Sequence, residues 1–343
     1  MYHSRMGNSI KAMIMSAGVG SRLEPLTKFV PKPLVPIANK PVMDILFDRL
    51  LAIGIKDVVC NTYYLADKII SRYQNNSHGL NFNYIKEETL SGTAGGVKKC
   101  QFFFDEGDTF VVLSADGLSN ADIEKGIKIH QQSGAIATIG VKKIAMEEVP
   151  HFGVVVTDNN GFITEFQEKP SIEEAKSNLI NTGIYIFDYK IFEYIPENTF
   201  YDFAKNVFPK LLLEHAINTF PVEEYWSDIG TIGQYIQSTK DLFEGKYSCE
   251  HAPIVECKNG AYISNTQDIP SDTTFVGYST IGKNVKIGKN VVIENSIIWD
   301  NVTLDDNVCL TDCVIASNCS IQKSLTSQII GANEKISENI LEI

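Results

Sequence analysis

The 343-residue sequence predicts an α/β domain with a mostly parallel mixed sheet, followed by a short parallel β-helix. Two observations support this prediction. Up to about residue 245, short apolar runs alternate with segments whose apolar residues follow helical spacing, which is typical of strand–helix–strand units. Farther on, apolar residues recur every six positions, which is typical of a β-helical coil. We assign residues 10–245 and 246–330 to these two domains, and 1–9 and 331–343 to terminal extensions.

The strands of the first domain are predicted from five short apolar runs, at 12–15, 57–63, 81–85, 109–116 and 135–141. Between these runs, segments such as 41–54 place apolar residues three and four apart and end at a glycine, as helices do. Residues 152–170 hold two alternating runs joined by Asp-Asn-Asn-Gly, which predicts a β-hairpin. We expect the hairpin to cover one side of the sheet. A helix over 208–217 and a strand over 220–230 follow.

The second domain is predicted from a six-residue repeat. Its first apolar members are Phe275, Ile281, Ile287 and Ile293, and after a slip of one residue it continues through Val302, Val308 and Val314. In such a coil each hexad forms one short strand and one corner of a triangular prism. Hexad prisms also occur in acyltransferases, whose sites need a general-base histidine at a coil edge. The chain has no histidine after His251, so the sequence disfavours acyl transfer.

The composition limits the classes of partner. Hydrophobic residues make up 44 % of the chain and charged residues 21 %, as in ordinary globular proteins, and the formal net charge is -12. This charge disfavours nucleic acid and anionic membranes as partners, although a local basic pocket can still hold a small anion. We find no apolar run long enough to cross a bilayer and no secretory signal, so we expect a cytoplasmic protein. Seven scattered cysteines suit reduced thiols better than a disulfide framework.

The stretch SAGVGSRLEPLTKFVPKPL, residues 16–34, predicts a phosphate-binding loop. Gly18 and Gly20 follow a predicted strand, and a glycine lets backbone N–H groups approach an anion without a Cβ in the way. Arg22 and Lys32 add two cations that suit a polyphosphate. The loop lacks the third glycine of a dinucleotide fingerprint and the Gly-Lys-Ser/Thr of the common NTPase loop. Taken alone, it is equally compatible with a strand-to-helix turn that carries two solvated cations.

The order of the motifs decides between these alternatives. Gly-x-Gly-Ser-Arg-Leu-x-Pro-Leu-Thr and Pro-Lys-Pro-Leu are followed by SGTAGG (91–96), VVLSADGL (111–118), FGVVV (152–156), EFQEKP (165–170), NTGIYIF (181–187) and YWSDIGT (225–231). This series of motifs resembles that of the sugar-1-phosphate nucleotidyltransferases. The motifs FGVVV, NTGIYIF and YWSDIGT, together with the hexad repeat, are most similar to the mannose-1-phosphate guanylyltransferase branch. The resemblance implies a Rossmann-like catalytic domain and a left-handed β-helix.

The resemblance also implies a reaction. The phosphate of a sugar 1-phosphate attacks the α-phosphorus of a nucleoside triphosphate, and an NDP-sugar and pyrophosphate result. GTP and mannose 1-phosphate are the favoured pair. The alternatives are a glucose-1-phosphate thymidylyl-, adenylyl- or uridylyltransferase, or a non-catalytic relative that senses sugar nucleotides. A sensor would be expected to lose the cations or aspartates that this chain keeps.

Residue roles are carried over from the family by motif. The resemblance implies four catalytic residues, Arg22, Lys32, Asp116 and Asp228, of which Asp116 and Asp228 would bind Mg²⁺. It implies nucleotide contacts from Ala17, Gly18, Gly20, Ser21, Glu88, Gly95 and Gly96. Sugar-phosphate contacts are implied for Gly153, Glu168, Lys169, Asn181 and Gly183. A carboxylate at Glu88 would favour guanine, whose N1–H and N2–H₂ are donors, although a solvated acid there is equally compatible with the sequence.

The chain departs from the family pattern at two places. Ala115 occupies a position before the aspartate where relatives more often have glycine. The segment YDFAKNVFP (201–209) replaces the usual Ser-Ile-Glu motif, so a sugar contact made by that motif is in doubt in this chain. The expected partners are a nucleoside triphosphate and a sugar 1-phosphate, with no nucleic acid and no membrane. An open coil end would expose strand edges, so we expect it to stack against another subunit or against the catalytic domain. We also expect a homo-oligomer, a dimer or tetramer.

Overall fold

The computed structural model describes residues 10–76, 78–248, 254–256, 262–264 and 269–337, and these form two compact units. One unit contains the residues up to Gly18 together with Leu46–Ser227. The other contains Val19–Ile45 together with the residues from Asp228 onward. The predicted extension 1–9 lies outside the described residues, and the predicted domain boundary at residue 245 stays a prediction.

Strands and helices alternate through the chain up to Phe243. Strands β1 to β13 are Lys11–Ser16, Pro36–Ile37, Lys40–Pro41, Asp57–Thr62, Asn81–Lys86, Thr109–Ser114, Gly117–Ser119, Ala137–Lys143, Gly153–Thr157, Ile163–Glu168, Leu179–Asp188, Ile217–Pro221 and Trp226–Asp228. Helices α1 to α6 are Val42–Ala52, Ala66–Tyr73, Gly92–Lys99, Ile123–Ser133, Phe208–Leu213 and Ile232–Phe243. The five predicted strands correspond to β1, β4, β5, β6 and β8, and the predicted helix over 41–54 corresponds to α1.

The first unit is built on a nine-stranded sheet in the order β10-β9-β11-β6-β1-β4-β5, with β8 beside β11 and β12 beside β8. β10 and β11 are antiparallel to their neighbours, and the remaining pairs are parallel. The predicted α/β class with a mostly parallel mixed sheet is therefore confirmed. Because β1, β4, β5 and β6 run in the same direction, their carboxyl ends meet at one edge, where open α/β sheets bind ligands.

The predicted hairpin forms from β9 and β10, but the expected position of the hairpin was wrong. β9 pairs with the first residues of β11, Leu179 beside Val155 and Ile180 beside Val154, so the hairpin joins the sheet through backbone hydrogen bonds. An uncovered strand edge favours such pairing, because its N–H and C=O groups need partners. The helix predicted over 208–217 is shorter, since α5 ends at Leu213 and β12 begins at Ile217.

Aromatic side chains fill the core of the first unit. The Phe110 ring of β6 is stacked on Phe104 at 4.1 Å and on Phe192 at 5.4 Å between ring centroids. All three side chains are buried. Such rings bury large apolar areas and add a geometric preference of their own. They hold β6, which ends next to the candidate site, in a well-packed position.

The second unit is dominated by a parallel β-helix. The strands of this part of the chain, β14 to β25, are Ile254–Glu256, Tyr262–Ser264, Thr274–Ile281, Lys286–Ile287, Val292–Ile298, Thr303–Leu304, Cys309–Thr311, Val314–Ile315, Ser320–Ile321, Leu325–Thr326, Ile329–Ile330 and Lys335–Ile336. β14 is antiparallel to β15, and β16 onward pair in parallel. The hexad residues Phe275, Ile281 and Ile287 pair with Ile293, Ile298 and Leu304, which lie 17 or 18 residues farther along the chain. This is the predicted prism, and it continues past residue 330, where the sequence analysis had ended it. The predicted left-handedness of the coil stays a prediction.

Asparagines form the corners of the coil. Asn284, Asn301, Asn318 and Asn333 all have positive φ, a backbone conformation that asparagine tolerates better than most residues. Their side chains bond in series, with amide-to-oxygen distances of 3.1, 3.0 and 3.1 Å. The recurring Lys-Asn-Val of the sequence thus marks positions where the coil turns from one strand to the next.

Residues 19–45 pack against the β-helix within the second unit. The Asn39 side-chain amide donates to the Ile281 carbonyl at 2.6 Å. The buried Tyr235 of α6 donates its hydroxyl hydrogen to the Pro36 carbonyl at 2.8 Å and accepts from Trp299 Nε1 at 2.9 Å. The segment that carries Arg22 and Lys32 is therefore held by contacts to the C-terminal part of the chain.

Two further sequence expectations concern cysteines and membranes. Cys60, Cys100, Cys309, Cys313 and Cys319 are free thiols. Within the described ranges, no helix has both the length and the apolar character needed to span a bilayer.

Candidate active site

The predicted site residues are divided between the two units, and we describe each group separately. The first unit holds Ala17, Gly18, Glu88, Gly95, Gly96, Asp116, Gly153, Glu168, Lys169, Asn181 and Gly183. The second unit holds Gly20, Ser21, Arg22, Lys32 and Asp228.

The glycine loop starts directly after β1. Ala17 is buried, whereas Gly18 is exposed, and a Cβ added at Gly18 would meet no atom within 4 Å. Protein packing therefore does not require glycine at this position. An open backbone at the carboxyl end of a central strand is the geometry that an anion approaching N–H groups needs.

In the second unit, the absence of a side chain at Gly20 lets the aliphatic part of the Lys32 side chain pack against the loop. Gly20 has a φ of 72°, and a Cβ added there would lie 3.0 Å from Lys32 Cβ. The Thr27 hydroxyl donates to the Gly20 carbonyl at 2.8 Å and fixes this turn. Positive φ and close approach both favour glycine. Ser21 and Arg22 are exposed, while Lys32 is half-buried between Pro31 and Pro33.

Arg22 and Asp228 lie around Gly230. A Cβ added at Gly230 would be 3.1 Å from Asp228 Oδ2 and 3.5 Å from Arg22 Nη2. The Gln234 side-chain amide donates to Asp228 Oδ1 at 2.9 Å. The fold therefore brings together two of the predicted catalytic residues that are far apart in sequence, and Gln234 orients the carboxylate.

Asp116 follows the end of β6 and is half-buried. Its Oδ1 accepts a hydrogen bond from the Ser114 hydroxyl. Ala115 is buried, so its methyl group points away from solvent. Among the described residues, no three or more His, Cys, Asp or Glu side chains cluster as a metal site. A magnesium ion held mainly by phosphates needs only one or two carboxylates, so this arrangement is compatible with Mg²⁺.

The predicted sugar-phosphate residues lie where β9, β10 and β11 meet. Gly153 pairs with Glu168 across the hairpin. The Asn181 side chain accepts from the Gly183 N–H at 2.9 Å and donates to the Tyr185 hydroxyl at 3.1 Å. Burial raises the pKa of the Tyr185 phenol to about 12, with further contributions from the charges of Asp202 and Glu168. The structure therefore brings four of these five residues to one region.

Lys169 is the fifth predicted sugar-phosphate residue. It is exposed and has a φ of 48°, and its N–H donates to the Phe152 carbonyl at 3.2 Å. This left-handed conformation ends β10 at Glu168 and turns the chain toward the buried Pro170. The exposed ammonium can reach a ligand.

Gly183 also lines a small cavity of the first unit, together with Ser114, Gly117, Arg49 and Trp226. The Trp226 indole N–H donates to the Thr182 carbonyl at 3.0 Å. The cavity lies at the end of β6, because Ser114, which lines it, is the last residue of that strand and precedes Asp116 by two residues. Trp226 and Arg49 were not among the predicted site residues; the aromatic residue before Ser-Asp in YWSDIG was the signal available.

The predicted base-binding residues Glu88, Gly95 and Gly96 lie in different surroundings. Glu88 is exposed, as a base-contacting acid can be. Gly95 and Gly96 lie inside α3 and are buried. A Cβ added at Gly95 would lie 2.9 Å from the Thr199 carbonyl oxygen, and one at Gly96 would lie 2.5 Å from Asn61 Nδ2. Close packing within the protein therefore explains both glycines. Gly95 also lines a cleft of about 510 Å³ with Ser91 and Thr199.

Sequence reasoning missed the acid next to Glu88. Glu87 is buried and accepts hydrogen bonds from Asn61 and Lys99. Two consecutive glutamates at a strand end carry no signal of which one faces inward, because that depends on partners from other elements.

Comparison with known proteins identifies the family of the chain. A family model described as nucleotidyl transferase matches residues 11–245, which is more than half of the chain. The chain belongs to the nucleotidyl transferase family. A second model, described as the GMPPB C-terminal domain, matches residues 257–341.

Two curated relatives illustrate the range of this nucleotidyl transferase family. The chain is 40 % identical over 270 residues to a UTP–glucose-1-phosphate uridylyltransferase of Synechocystis, covering 74 % of this chain and 68 % of the relative. It is 30 % identical over 241 residues to a mannose-1-phosphate guanylyltransferase of Mycobacterium tuberculosis, covering 69 % and 66 %. The chain thus spans about two thirds of the length of these relatives.

A solved structure supports the fold of this nucleotidyl transferase. It is a candidate glucose-1-phosphate thymidylyltransferase from Bacillus anthracis in complex with sucrose, 25 % identical, with a TM-score of 0.60, covering 67 % of this chain and 93 % of that one. The predicted recognition as a sugar-1-phosphate nucleotidyltransferase is confirmed. These relatives use different bases and sugars, so they leave the substrate pair open.

Proposed function

We propose that this nucleotidyl transferase joins GTP and mannose 1-phosphate to give GDP-mannose and pyrophosphate. The observation that carries the choice of substrates is the match of residues 257–341 to the GMPPB C-terminal domain. The exposed Glu88 is a second support, because its carboxylate can accept from both guanine donors, N1–H and N2–H₂. Thymine, uracil and adenine offer no such donor pair.

The proposed triphosphate site is formed by the glycine loop and its cations. Gly18 leaves backbone N–H groups open, and Arg22 and Lys32 neutralise the phosphates and the charge that develops on the leaving pyrophosphate. Asp228 lies close to Arg22, since both side chains approach Gly230. Transfer to an incoming phosphate needs no nucleophilic side chain, so positioning and electrostatics supply the catalysis.

Asp116 and Asp228 are the residues that would hold Mg²⁺. When bound, the ion would reduce the repulsion between the two anionic substrates and stabilise the pyrophosphate. The hydrogen bond from the Ser114 hydroxyl orients the Asp116 carboxylate, as the Gln234 amide orients that of Asp228. Such supporting bonds are typical around metal-binding carboxylates.

The sugar phosphate is proposed to bind where β9, β10 and β11 meet. Glu168 would accept from sugar hydroxyls, and the Lys169 ammonium would pair with the phosphate. Asn181 and the bulge at Gly183 present amide and backbone groups to the sugar ring. Gly153 leaves room beside the Glu168 carboxylate, since a Cβ added there would lie 3.3 Å from Glu168 Oε2.

A second substrate pair is UTP and glucose 1-phosphate. The observation that favours it is the 40 % identity to the Synechocystis uridylyltransferase. In this case Glu88 would remain solvated, and the base would be selected by other groups.

The deciding experiment is pyrophosphate release with magnesium across GTP, UTP, dTTP, ATP and CTP, each against mannose, glucose and N-acetylglucosamine 1-phosphate. Reactions without sugar phosphate give the background. Highest kcat/KM for GTP with mannose 1-phosphate supports the first pair, and highest kcat/KM for UTP with glucose 1-phosphate replaces it by the second. Release in no combination by folded protein would contradict nucleotidyl transfer and favour the sensor alternative.

The predicted homo-oligomer and cytoplasmic location stay predictions. Light scattering after size-exclusion chromatography tests the first, with a dimer or tetramer expected and a monomeric mass contradicting it.

A further inference from the structure

A buried hydrogen-bond network joins the carboxyl end of the sheet to helix α3. The Glu87 side chain is 1 % exposed. Its Oε1 accepts from Asn61 Nδ2 at 2.7 Å, and its Oε2 accepts from the Ser91 hydroxyl and from Lys99 Nζ at 2.9 Å. Donors from three residues thus replace the water that this carboxylate gives up on burial.

Asn61 extends the network to the glycine loop. Its Oδ1 accepts from the backbone N–H of Ser16 at 3.1 Å, and the Ser16 hydroxyl donates to the Asn61 carbonyl. Ser16 is the last residue of β1, directly before Ala17 and Gly18. The buried acid is therefore two hydrogen bonds away from the backbone that starts the loop.

The position of Gly96 is explained by the same network. A Cβ there would lie 2.5 Å from Asn61 Nδ2 and 3.4 Å from Glu87 Oε1. Any larger residue would displace the Asn61 amide from its two partners. Gly96 therefore makes room for the network, and its predicted contact with the base stays a prediction.

We propose that Glu87, acting through Asn61, is a positioning residue that fixes the glycine loop for binding the nucleoside triphosphate. The inference rests on the proposed function and deepens it. Glu87 also precedes the exposed Glu88, so the same carboxylate anchors both the loop under the phosphates and the loop at the base. Loss of the network should weaken nucleotide binding and leave sugar-phosphate binding unchanged.

The test exchanges the amide at position 61 and the carboxylate at position 87. Asn61→Asp places two carboxylates face to face and is expected to raise KM for the nucleotide about tenfold, as loss of one buried hydrogen bond does. Adding Glu87→Gln restores the bond in reverse, because the amide introduced at position 87 donates to the carboxylate introduced at position 61. The oxygen of that amide still accepts from Ser91 and Lys99. The double variant keeps the total charge and should return to within about threefold of the parent KM.

Two further variants keep the test decisive. Asn61→Leu has a similar volume and bonds to neither partner, so it should raise the nucleotide KM in the same way even if Asn61→Asp does not fold. Asn83→Asp, on the exposed face of β5, makes the same chemical change outside the network and should leave KM unchanged. KM for the sugar phosphate should stay within about twofold in all variants, which a general loss of stability would not produce.

Hydrogen exchange of the peptide containing residues 12–20 provides a readout that does not depend on turnover. Faster exchange in Asn61→Leu and in Asn61→Asp, reversed in the double variant, is expected. If the parent shows no transferase activity, the proposed function fails, and this exchange pattern still decides whether the network holds the loop. Parent-like exchange and parent-like nucleotide KM in folded Asn61→Leu, or a double variant as impaired as Asn61→Asp, would overturn the inference.

Discussion

His130 on α4 shows how burial of a single side chain acts on its charge. It is 4 % exposed, and its Nδ1 lies 2.9 Å from the Thr138 hydroxyl oxygen. Burial lowers its pKa from 6.5 to about 4. The folded protein therefore keeps His130 neutral in mildly acidic solution, where the unfolded chain takes up a proton.

The pH dependence of stability follows from this difference. A depressed histidine pKa means that the unfolded state binds more protons between about pH 4 and 6.5, so stability falls as the pH is lowered through that range. The contribution of His130 between pH 7 and pH 4.5 should be about 2–3 kcal/mol. Denaturant unfolding at both pH values should show that His130→Gln loses less stability than the parent on acidification. His151→Gln, at an exposed site, should behave like the parent; equal acid sensitivity of parent and His130→Gln would contradict the assignment.

Asp116 carries the clearest catalytic prediction at this scale. Asp116→Asn removes the charge proposed to bind magnesium but keeps the size of the side chain, so kcat should fall by about 10²-fold or more. Pyrophosphate release is the measurement, with thermal unfolding to show that the fold is kept. Asp122→Asn is the matched control, because asparagine still caps α4 at that exposed position. Turnover close to that of the parent in Asp116→Asn would remove this residue from the mechanism.

Individual helices depend on where their glycines face. Gly96 in α3 faces Asn61, whereas Gly233 in α6 has only Thr231 Oγ1 at 4.0 Å from an added Cβ. Alanine favours a helix over glycine by about 1 kcal/mol when there is room for the methyl group. The same substitution should therefore have opposite effects in the two helices.

This contrast can be measured directly. Gly96→Ala should lower the free energy of unfolding by about 1–3 kcal/mol, because backbone or side chains must shift to relieve the contact. Gly233→Ala should raise it by up to about 1 kcal/mol. Denaturant unfolding of both variants at pH 7 is sufficient. A stabilised Gly96→Ala variant would show that α3 can move away from Asn61 without cost.

At the scale of the molecule, the β-helix supports residues 19–45 through contacts inside its own unit. Tyr235 donates to the Pro36 carbonyl and accepts from Trp299, and all three groups lie in the unit that also holds Arg22 and Lys32. Pro36, Tyr235 and Trp299, which are far apart in sequence, thus pack together. The C-terminal repeat therefore belongs to the packing that supports residues 19–45, the segment that carries Arg22 and Lys32.

Removing the Tyr235 hydroxyl tests this connection. Tyr235→Phe leaves the Pro36 carbonyl and the Trp299 N–H without this partner, and should lower the unfolding free energy by about 1–3 kcal/mol. It should also raise KM for the nucleotide, because residues 19–45 lose a tie to the β-helix. Tyr84→Phe, at a side chain that is 44 % exposed, is the control and should change neither value. A destabilised Tyr235→Phe enzyme with parent-like nucleotide KM would separate the β-helix from nucleotide binding.

The sequence by itself determined the features that repeat over short distances. Alternation of strands and helices, the hairpin at 152–170 and the hexads of the coil are set by local periodicity, which needs no knowledge of partners. The motif order also identified the family. The tertiary structure decided the contacts between residues far apart in the chain. These contacts bury Glu87 and leave Glu88 exposed, place Gly96 next to Asn61, and pack residues 19–45 against the β-helix. These depend on which elements meet, and side-chain periodicity does not specify that.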